Sequence, residues 1–397
     1  MKNFIFISPN FPDSYWKFCE ELKNNGLRVL GIGDGVYDEL KPELRNALHE
    51  YYKVSSLENY DEVFRAVAFF TYKYGKIDWL ESNNEYWLER DARLRTEFHI
   101  TSGFMEGDMN KVKHKSAMKA YYAKAGIPTA RYQLVDRYET AADFAKTVGY
   151  PVVVKPDNGV GASSTYRLKS DEELQYFMAT KRPGVQYIME EMVKGVGCTV
   201  DAIIGAKGQV LFESGNVTPS LLMDVVNNNE DSYYYLHRDV PRDIRDAGLR
   251  TVEAFGVKSR FVHLEFFRLT EDQPGLGKKD DLIGLEVNMR PAGGYTPDMY
   301  NYAYETDVYK IWADMIAFDE SKKGLGKRHY CTFMGRRDGV AYKMDHNAVM
   351  AKYGHCMKMQ RRLPAALASA MGDVIYIVNL ETEQERDTFL RELAERV

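Results

Sequence analysis

Residues 261–298 read FVHLEFFRLTEDQPGLGKKDDLIGLEVNMRPAGGYTPD, two short segments of alternating apolar and polar residues joined by a charged loop with Gly and Pro. This pattern predicts a hairpin of two strands. Side chains alternate between the faces of a strand, so Glu286 and Asn288 share one face, as do His263 and Glu265. If the strands pair antiparallel, Glu265 lies beside Glu286 and Asn288. The hairpin is therefore expected to gather several oxygen atoms at one place.

Such a cluster suits a magnesium ion. Mg²⁺ prefers hard oxygen ligands and is usually bound by one or two carboxylates together with substrate phosphates and water. Arg290, two residues beyond Asn288, offers a planar set of donors that matches phosphate or carboxylate oxygens. The alternative is a surface hairpin whose glutamates point to water. Leu285 and Val287 alternate with the polar residues and give the second strand an apolar face, which argues against that alternative.

The composition is that of an ordinary globular protein. Of its residues, 45% are hydrophobic and 28% charged. The length of 397 residues is enough for about two to three domains. The net charge of −5 argues against a nucleic-acid partner, so an anionic ligand has to be held by local donors. No apolar run approaches the ~20 residues of a membrane span, so no membrane partner is expected. The 4 Cys residues are scattered without metal-type spacing, which predicts a cytoplasmic protein.

Residues 1–110 alternate between short apolar strands and amphipathic helices. That alternation predicts a doubly wound parallel sheet. The turn LGIGDG at residues 30–35 has the glycine spacing GxGxG and not the GxGxxG of a dinucleotide-binding turn. A turn that closes a strand is the favoured interpretation, and a nicotinamide-dependent dehydrogenase is the less favoured one.

Residues 150–168 read YPVVVKPDNGVGASSTYRL, which is a buried strand ending in a lysine, a loop of small residues and a second strand. Small residues let backbone N–H groups approach phosphate oxygens without an intervening side chain. Lys155 at the strand end can reach the same phosphates. In a P-loop, by contrast, a helix follows the glycines. We interpret the segment as a phosphate cradle, with a hairpin carrying a flexible tip as the alternative.

Three further segments complete the organisation of the chain. Residues 111–135 predict one basic helix that ends at Gly126, followed by a strand, and most lysines of this helix are expected to be solvated. Residues 185–214 predict a strand that runs into a turn and offers a plausible seat for adenine. Residues 330–397 predict a small α/β unit with a closing charged helix.

Lys155 with its glycine-rich loop is followed, far downstream, by the segments HLEFF and LEVNMRPAGG. In this order they resemble the ATP-grasp superfamily, in its carboxylate–amine ligase branch, and are similar to the L-amino acid ligases. The resemblance implies a mixed α/β (α+β) fold, with an ATP-grasp core preceded by the doubly wound parallel-sheet domain and followed by a small C-terminal α/β appendage. The implied domains are an N-terminal domain at 1–110, a small nucleotide-binding lobe at 111–195, a large lobe with the metal hairpin at 196–325 and a C-terminal subdomain at 326–397.

The same resemblance implies roles for individual positions. Arg290 and Lys155 match the catalytic cations, with Arg290 steadying the transferred phosphoryl group. The positions that match contacts to ATP are Lys115, Lys155, the loop residues Gly159, Gly161, Ala162, Ser163 and Ser164, and the adenine linker Glu190, Glu191, Met192 and Val193. The positions that match ligands of Mg²⁺ (or Mn²⁺) are Glu265, Glu286 and Asn288.

The chain departs from the family at one position. The family usually has an acidic residue for the ribose hydroxyl groups where this chain has Gly197. Glu191 or Asp201 substitutes for it, or the ribose is held more loosely. The departure concerns nucleotide affinity and leaves the catalytic cluster untouched.

The activity that the resemblance implies is ATP-dependent ligation of a small-molecule carboxylate, such as an amino acid or a peptide-like acid, to an amine. ATP would phosphorylate the carboxylate, and the amine would displace phosphate from the resulting acyl phosphate. The implied cofactors are ATP and Mg²⁺, and homodimers are common among such ligases. The alternatives are a biotin-carboxylase-like or carbamoyl-phosphate-type ATP-grasp enzyme, and a nucleotide-binding regulatory protein without turnover.

Overall fold

The computed structural model describes residues 1–159, 164–219, 225 and 229–397. Near the N-terminus, four parallel strands pair in the order third, second, first, fourth. These strands are Asn3–Ile7 (β1), Arg28–Gly33 (β2), Glu50–Lys53 (β3) and Trp79–Glu81 (β4). The helices between and after them are Trp16–Asn24 (α1), Pro42–Ala47 (α2), Tyr60–Tyr74 (α3) and Leu88–Glu97 (α4).

Side-chain alternation along β1 explains why helices cover both faces of this sheet. Phe6 packs on Phe18 of α1 within one buried cluster. Ile5, the neighbour of Phe6, belongs to a separate buried cluster that contains Phe70 of α3. Each face of the sheet is therefore covered by its own helices, and the predicted doubly wound parallel sheet is confirmed.

The small lobe is a four-stranded antiparallel sheet with two helices. Its strands are Tyr132–Val135 (β5), Val152–Pro156 (β6), Tyr166–Leu168 (β7) and Tyr187–Glu191 (β8), in the order β5-β8-β6-β7. Its helices are Tyr138–Val148 (α7) and Asp171–Thr180 (α8). Val152 and Val154 of β6 are buried in the lobe's core, whereas Val153 and Lys155 line a cavity on the opposite face. Strand alternation thus directs Lys155 out of the core.

The predicted single basic helix is two helices, Met109–Lys113 (α5) and Lys115–Lys124 (α6). They are separated at His114, whose φ of −94° and ψ of 116° are extended. The expectation of solvated lysines is also wrong, because Lys113, Lys115 and Lys119 are buried. Each is paired with a carboxylate from a distant part of the chain, which offsets the cost of burying a charge.

The large lobe is built on a nine-stranded sheet of described residues. Its strands are Gly195–Ile204 (β9), Val210–Ser214 (β10), Asn216–Thr218 (β11), Ser232–Leu236 (β12), Arg260–Leu269 (β13), Leu282–Asn288 (β14), Tyr330–Arg336 (β15), Met357–Arg362 (β16) and Val374–Leu380 (β17). They pair in the order β14-β13-β9-β11-β12-β15-β17-β16, and β10 pairs with β9. The later helices are Arg242–Phe255 (α9), Thr296–Tyr304 (α10), Val308–Phe318 (α11), His346–Tyr353 (α12), Ala365–Met371 (α13) and Glu383–Ala394 (α14).

Helices pack on both faces of this sheet. Leu264 of β13 lies in a buried cluster with Tyr122 of α6, whereas Phe261 of the same strand stacks on Tyr300 of α10. The C-terminal α/β segment is continuous with the large lobe, because β15 pairs with β12. Every helix in the described ranges is too short or too polar to cross a bilayer.

Candidate active site

A cavity of about 360 Å³ lies between the small antiparallel sheet and the hairpin β13–β14. The predicted residues that line it are Lys115, Lys155, Gly159, Glu190, Glu191, Met192, Val193, Glu265, Glu286, Asn288 and Arg290. Ser164 is not among the lining residues, and its Oγ accepts a hydrogen bond from Arg182. Gly161, Ala162 and Ser163 lie outside the described residues. The lysine strand and the acidic hairpin, far apart in the chain, thus face each other across one cavity.

The hairpin pairs in the antiparallel register that its sequence predicts. Glu265 lies opposite Glu286, and His263 lies opposite Asn288. The Tyr122 hydroxyl from α6 lies 3.2 Å from the carbonyl oxygen of Glu265 and 3.0 Å from that of Glu286, and it donates to this pair. Helix α6 is thereby fixed to the two strands that carry the carboxylates.

Glu265 is oriented and kept ionised by its neighbours. Asn288 Nδ2 donates to Glu265 Oε1 at 2.8 Å, and His263 Nε2 lies 3.3 Å from the same oxygen. Burial raises the pKa of Glu265, but His263, Arg290 and Asn288 together hold it below its usual value. Behind His263, Asp201 Oδ1 lies 2.6 Å from Nδ1. Burial lowers the pKa of His263, but the carboxylates of Asp201 and Glu265 outweigh this and raise it to about 9.

The donor set fits a divalent cation that is also held by phosphates. It consists of the carboxylates of Glu265 and Glu286 and the amide of Asn288, whose Oδ1 accepts from Arg290 at 3.1 Å. Within the described ranges, no group of three His, Cys, Asp or Glu is arranged to hold a metal. Since Mg²⁺ is commonly bound by one or two carboxylates with substrate phosphates completing the shell, these residues suit Mg²⁺ bound together with a nucleotide.

Glu190 holds two lysines at the opposite wall. Its carboxylate lies 2.6 Å from Lys155 Nζ and also contacts Lys119 Nζ. Burial raises the pKa of Glu190, but the two ammonium groups lower it to about 2. Burial lowers the pKa of Lys155, but Glu190 and Glu286 outweigh this and raise it. The backbone of Glu190 pairs with β5 and β6 within the sheet. Glu190 therefore contacts the lysines through its side-chain carboxylate.

The two acidic residues considered for the ribose are already engaged. Glu191 Oε1 accepts from the Arg131 N–H, and Oε2 accepts from the Arg131 guanidinium at 2.6 Å and from Gln273. Asp201 is fully buried behind His263. Of the three alternatives for the ribose, the structure argues against Asp201, because this carboxylate is buried and engaged by His263. A loosely held ribose stays a prediction.

Lys115 links the two walls of the cavity. Its Nζ lies 3.2 Å from Glu286 Oε1 and donates to the carbonyl oxygen of Gly159 at 3.3 Å. Two other lysines of this segment have other partners, since Lys111 pairs with Asp108 and Lys113 pairs with Glu85. The position that the sequence favours is thus the one that contacts both Gly159 and the acidic hairpin.

Glu85 lines the same cavity, although no sequence pattern pointed to it. Its Oε1 lies 2.7 Å from Lys113 Nζ, whereas its buried Oε2 has no hydrogen-bond partner within the described ranges and lies 3.6 Å from Arg290 Nε. The loop that carries Glu85 follows β4 and is held by Tyr15, whose hydroxyl donates to the Asn83 carbonyl at 2.7 Å. Ligands commonly bind at the carboxyl edge of such parallel sheets, and this rule is the signal that could have found Glu85.

Two sequence similarities agree with this geometry. Residues 111–191 match the family model described as "Carbamoyl-phosphate synthase L chain, ATP binding domain". Over 319 residues the chain is 25% identical to the L-arginine-specific L-amino acid ligase of Bacillus subtilis, which covers 78% of this chain and 74% of that protein. The family model covers the lysine strand but ends at residue 191, before the hairpin. The match to the ligase covers both.

Solved structures show the same fold over almost the whole chain. The L-amino acid ligase from Bacillus licheniformis has a TM-score of 0.70 and 17% identity, covering 99% of this chain and 97% of that one. The biotin carboxylase domain of 2-oxoglutarate carboxylase from Hydrogenobacter thermophilus, solved with MgADP, ADP and bicarbonate, has a TM-score of 0.67 and 15% identity and covers 99% and 89%. The predicted α/β fold with an ATP-grasp core is confirmed.

Proposed function

We infer that this chain, a member of the carboxylate–amine ligase branch of the ATP-grasp superfamily, joins an amino acid or a small peptide-like acid to an amine. One observation carries the proposal: Lys115 and Lys155 face Glu265 and Glu286 across a single cavity, with Arg290 at its edge. A carboxylate is a poor acyl donor, because its leaving group would be oxide. Phosphorylation by ATP converts that oxygen into a good leaving group, and attack by the amine then releases phosphate.

The adenine end of the nucleotide has a suitable seat between the lobes. Val153, Met192, Phe267 and Leu285 line this side of the cavity with apolar surface. The Val193 N–H has no hydrogen-bond partner within the described ranges and can donate to a purine nitrogen. Ligand pockets typically combine apolar walls with a few polar groups of this kind, which supports adenine binding here.

The phosphates would lie between the lysines and the hairpin. Lys155 and Lys115 supply positive charge there, and Glu265, Glu286 and Asn288 would hold Mg²⁺. When bound, Mg²⁺ supplies Lewis-acid polarisation of the phosphate oxygens. The residues contribute positioning and charge neutralisation, which are the main requirements of phosphoryl transfer. Mn²⁺ is the second candidate, since its oxygen-ligand preference is similar.

In this proposal, Arg290 meets the charge that develops on the transferred phosphoryl group. Its Nη1 donates to the Pro291 carbonyl at 2.8 Å and its Nη2 donates to Asn288 Oδ1 at 3.1 Å. A guanidinium held in this way can bind the transferred phosphoryl group and the acyl phosphate through two parallel hydrogen bonds. A preorganised donor at such a position is worth about 3 kcal/mol of the reaction barrier.

The Glu85 oxygen that has no hydrogen bond among the described residues supports an amino acid as one of the substrates. An α-ammonium group would give the buried Oε2 the donor that it lacks, while the nearby Arg290 could meet the substrate carboxylate. The similarity to L-amino acid ligases from two Bacillus species supports the same substrate class. The arginine specificity named for the Bacillus subtilis protein is not carried over to this chain.

The cellular setting is a separate part of the proposal. All 4 cysteines are free thiols, which supports the predicted cytoplasmic location, since reducing compartments keep thiols unpaired. A homodimer stays a prediction, and size-exclusion chromatography with light scattering measures it directly.

The deciding experiment measures ADP release from Mg²⁺-ATP across a matrix of amino acids, small carboxylates and amines. We expect release only when a carboxylate and an amine are both present. Glu286→Ala and Arg290→Ala should each lower the rate by about 100-fold or more while circular dichroism shows a folded protein. Glu320→Ala and Arg137→Ala, at exposed positions, are the matched controls and should keep the rate.

Other outcomes would contradict this function in distinguishable ways. ADP release that depends on bicarbonate would indicate a carboxylase-type or carbamoyl-phosphate-type enzyme. Nucleotide binding without ADP formation across the whole matrix would indicate a regulatory protein. Removal of metal by EDTA should stop ADP release, and comparing Mg²⁺ with Mn²⁺ in restoring it identifies the cation that the site uses.

A further inference from the structure

Asp157, two residues beyond Lys155, faces the break between α5 and α6. It is 4% exposed, and each of its oxygens is bound by this break. Oδ1 accepts from the Ser116 N–H at 2.8 Å, and Oδ2 accepts from the Ser116 hydroxyl at 2.8 Å and lies 3.1 Å from His114 Nδ1. The Asp157 carbonyl oxygen accepts from the Lys115 N–H at 3.0 Å. Three consecutive residues are therefore bound to one aspartate.

These contacts give α6 a cap that comes from a distant part of the chain. The first N–H groups of a helix have no partner within it, and a carboxylate that accepts from them is stabilised by the helix dipole. Here the capping carboxylate follows β6 of the small lobe. The other end of the connection is the Tyr122 hydroxyl of α6, which binds the hairpin carbonyls of Glu265 and Glu286. Helix α6 is thus bound at its start to the segment after β6 and further along to the acidic hairpin.

Lys115 lies between the two residues whose side chains Asp157 binds. Its backbone N–H is held by the same aspartate, so the direction in which its side chain leaves the helix is set on both sides. The side chain is 6% exposed, and its ammonium lies between the Gly159 carbonyl and the Glu286 carboxylate.

We propose that Asp157 is a positioning residue for nucleotide binding, which acts by ordering the start of α6 so that Lys115 reaches the phosphates. Both oxygens of its carboxylate are engaged by His114 and Ser116, so it acts through Lys115 and not by direct contact with the nucleotide. The inference rests on the nucleotide site of the proposed function. If Asp157 is a positioning residue, its effect on nucleotide affinity depends on the Lys115 ammonium. If its role is purely structural, that effect is the same with or without this ammonium.

A double-mutant cycle separates these two roles. The dissociation constant of Mg²⁺-ADP is measured by isothermal titration calorimetry for the wild type, Asp157→Asn, Lys115→Met and the double variant. In the presence of Lys115, Asp157→Asn should weaken binding by about 10-fold, the effect of losing a hydrogen bond to a charged group. In the Lys115→Met background, Asp157→Asn should weaken binding by less than about 2-fold. If Asp157 acts only through the Lys115 ammonium, its effect is lost when that ammonium is absent.

Two further variants make the result decisive. Asp136→Asn makes the same chemical change at an exposed position of the small lobe and should leave binding unchanged. If Asp157→Asn does not fold, Ser116→Ala, which removes only the hydroxyl donor, enters the same cycle and should show the same dependence on Lys115. Equal weakening in both backgrounds, or no weakening in either, would overturn the inference. Failure of the wild type to bind Mg²⁺-ADP would instead contradict the proposed function.

Discussion

Replacing Glu190 by Gln tests the charge arrangement at the lysine wall directly. The Glu190 carboxylate is buried between Lys155 and Lys119 and contacts both ammonium groups. Gln keeps the size of the side chain and one oxygen acceptor but removes the negative charge. Two buried ammonium groups then lose their shared counter-charge, and a buried charge without a partner is costly.

The size of the effect follows from the pKa of Glu190. Burial raises this pKa, but the two lysines outweigh burial and lower it from 4.5 to about 2. At about 1.4 kcal/mol for each pKa unit, that fall corresponds to about 3 kcal/mol of stability from the ionised carboxylate. Removing one partner of a buried ion pair typically costs about 3–5 kcal/mol. Glu190→Gln should therefore lower the free energy of unfolding by at least about 3 kcal/mol.

The sign of the pH dependence is fixed by the direction of the shift. Since the folded pKa of Glu190 is depressed, its contribution is complete above the unfolded pKa and is lost as the pH falls toward the folded pKa of about 2. The difference in unfolding free energy between wild type and Glu190→Gln should therefore be largest near neutral pH. One pH unit below the unfolded pKa, it should be smaller by about 1.4 kcal/mol.

Urea unfolding of both proteins, followed by circular dichroism near neutral pH and at about pH 3.5, measures the two differences. Glu320→Gln makes the same change at an exposed position and should alter stability by no more than about 0.5 kcal/mol. The reasoning is refuted if Glu190→Gln resembles this control near neutral pH. It is also refuted if the difference between wild type and Glu190→Gln does not shrink in acid.

Two further substitutions test how α6 holds the hairpin, each by urea unfolding. Gly284→Ala should lower stability by about 1–3 kcal/mol, because the added Cβ would lie 2.5 Å from the Tyr122 ring. Gly354→Ala is the control, since an added Cβ there has nothing within 4 Å. Equal stability of the two variants would contradict the expected overpacking. Tyr122→Phe should cost about 0.5–1.5 kcal/mol, because it removes the hydroxyl that donates to the Glu265 and Glu286 carbonyls. An unchanged stability would mean that this hydroxyl does not hold the hairpin.

Local patterns in the sequence were sufficient to predict the hairpin and its polar face. The alternation around Glu286 and Asn288 indicated which side chains share a face, and the observed register places Glu265 opposite Glu286. The alternating strands and helices of residues 1–110 likewise predicted a parallel sheet, which the structure contains. These features depend on the repeat of side-chain direction along a strand or a helix, which a sequence carries directly.

Charges on the basic segment were predicted less well. Lys113, Lys115 and Lys119 looked like a solvated face, yet all three are buried, because their carboxylate partners come from elsewhere in the chain. Asp201 looked available for a ribose, yet it is buried behind His263. No local pattern reports such partners, since a side chain's neighbours across a domain boundary have no fixed spacing in the sequence.

Local sequence patterns were enough to predict which segments form strands and helices, which residues share each strand face, and which two segments carry the lysine and the carboxylates. Tertiary structure alone decided that these segments face each other, that Glu85 enters the same cavity and that Asp157 binds the start of α6. Backbone periodicity is a local property, whereas the pairing of charges and the capping of α6 by Asp157 depend on contacts between residues far apart in the sequence.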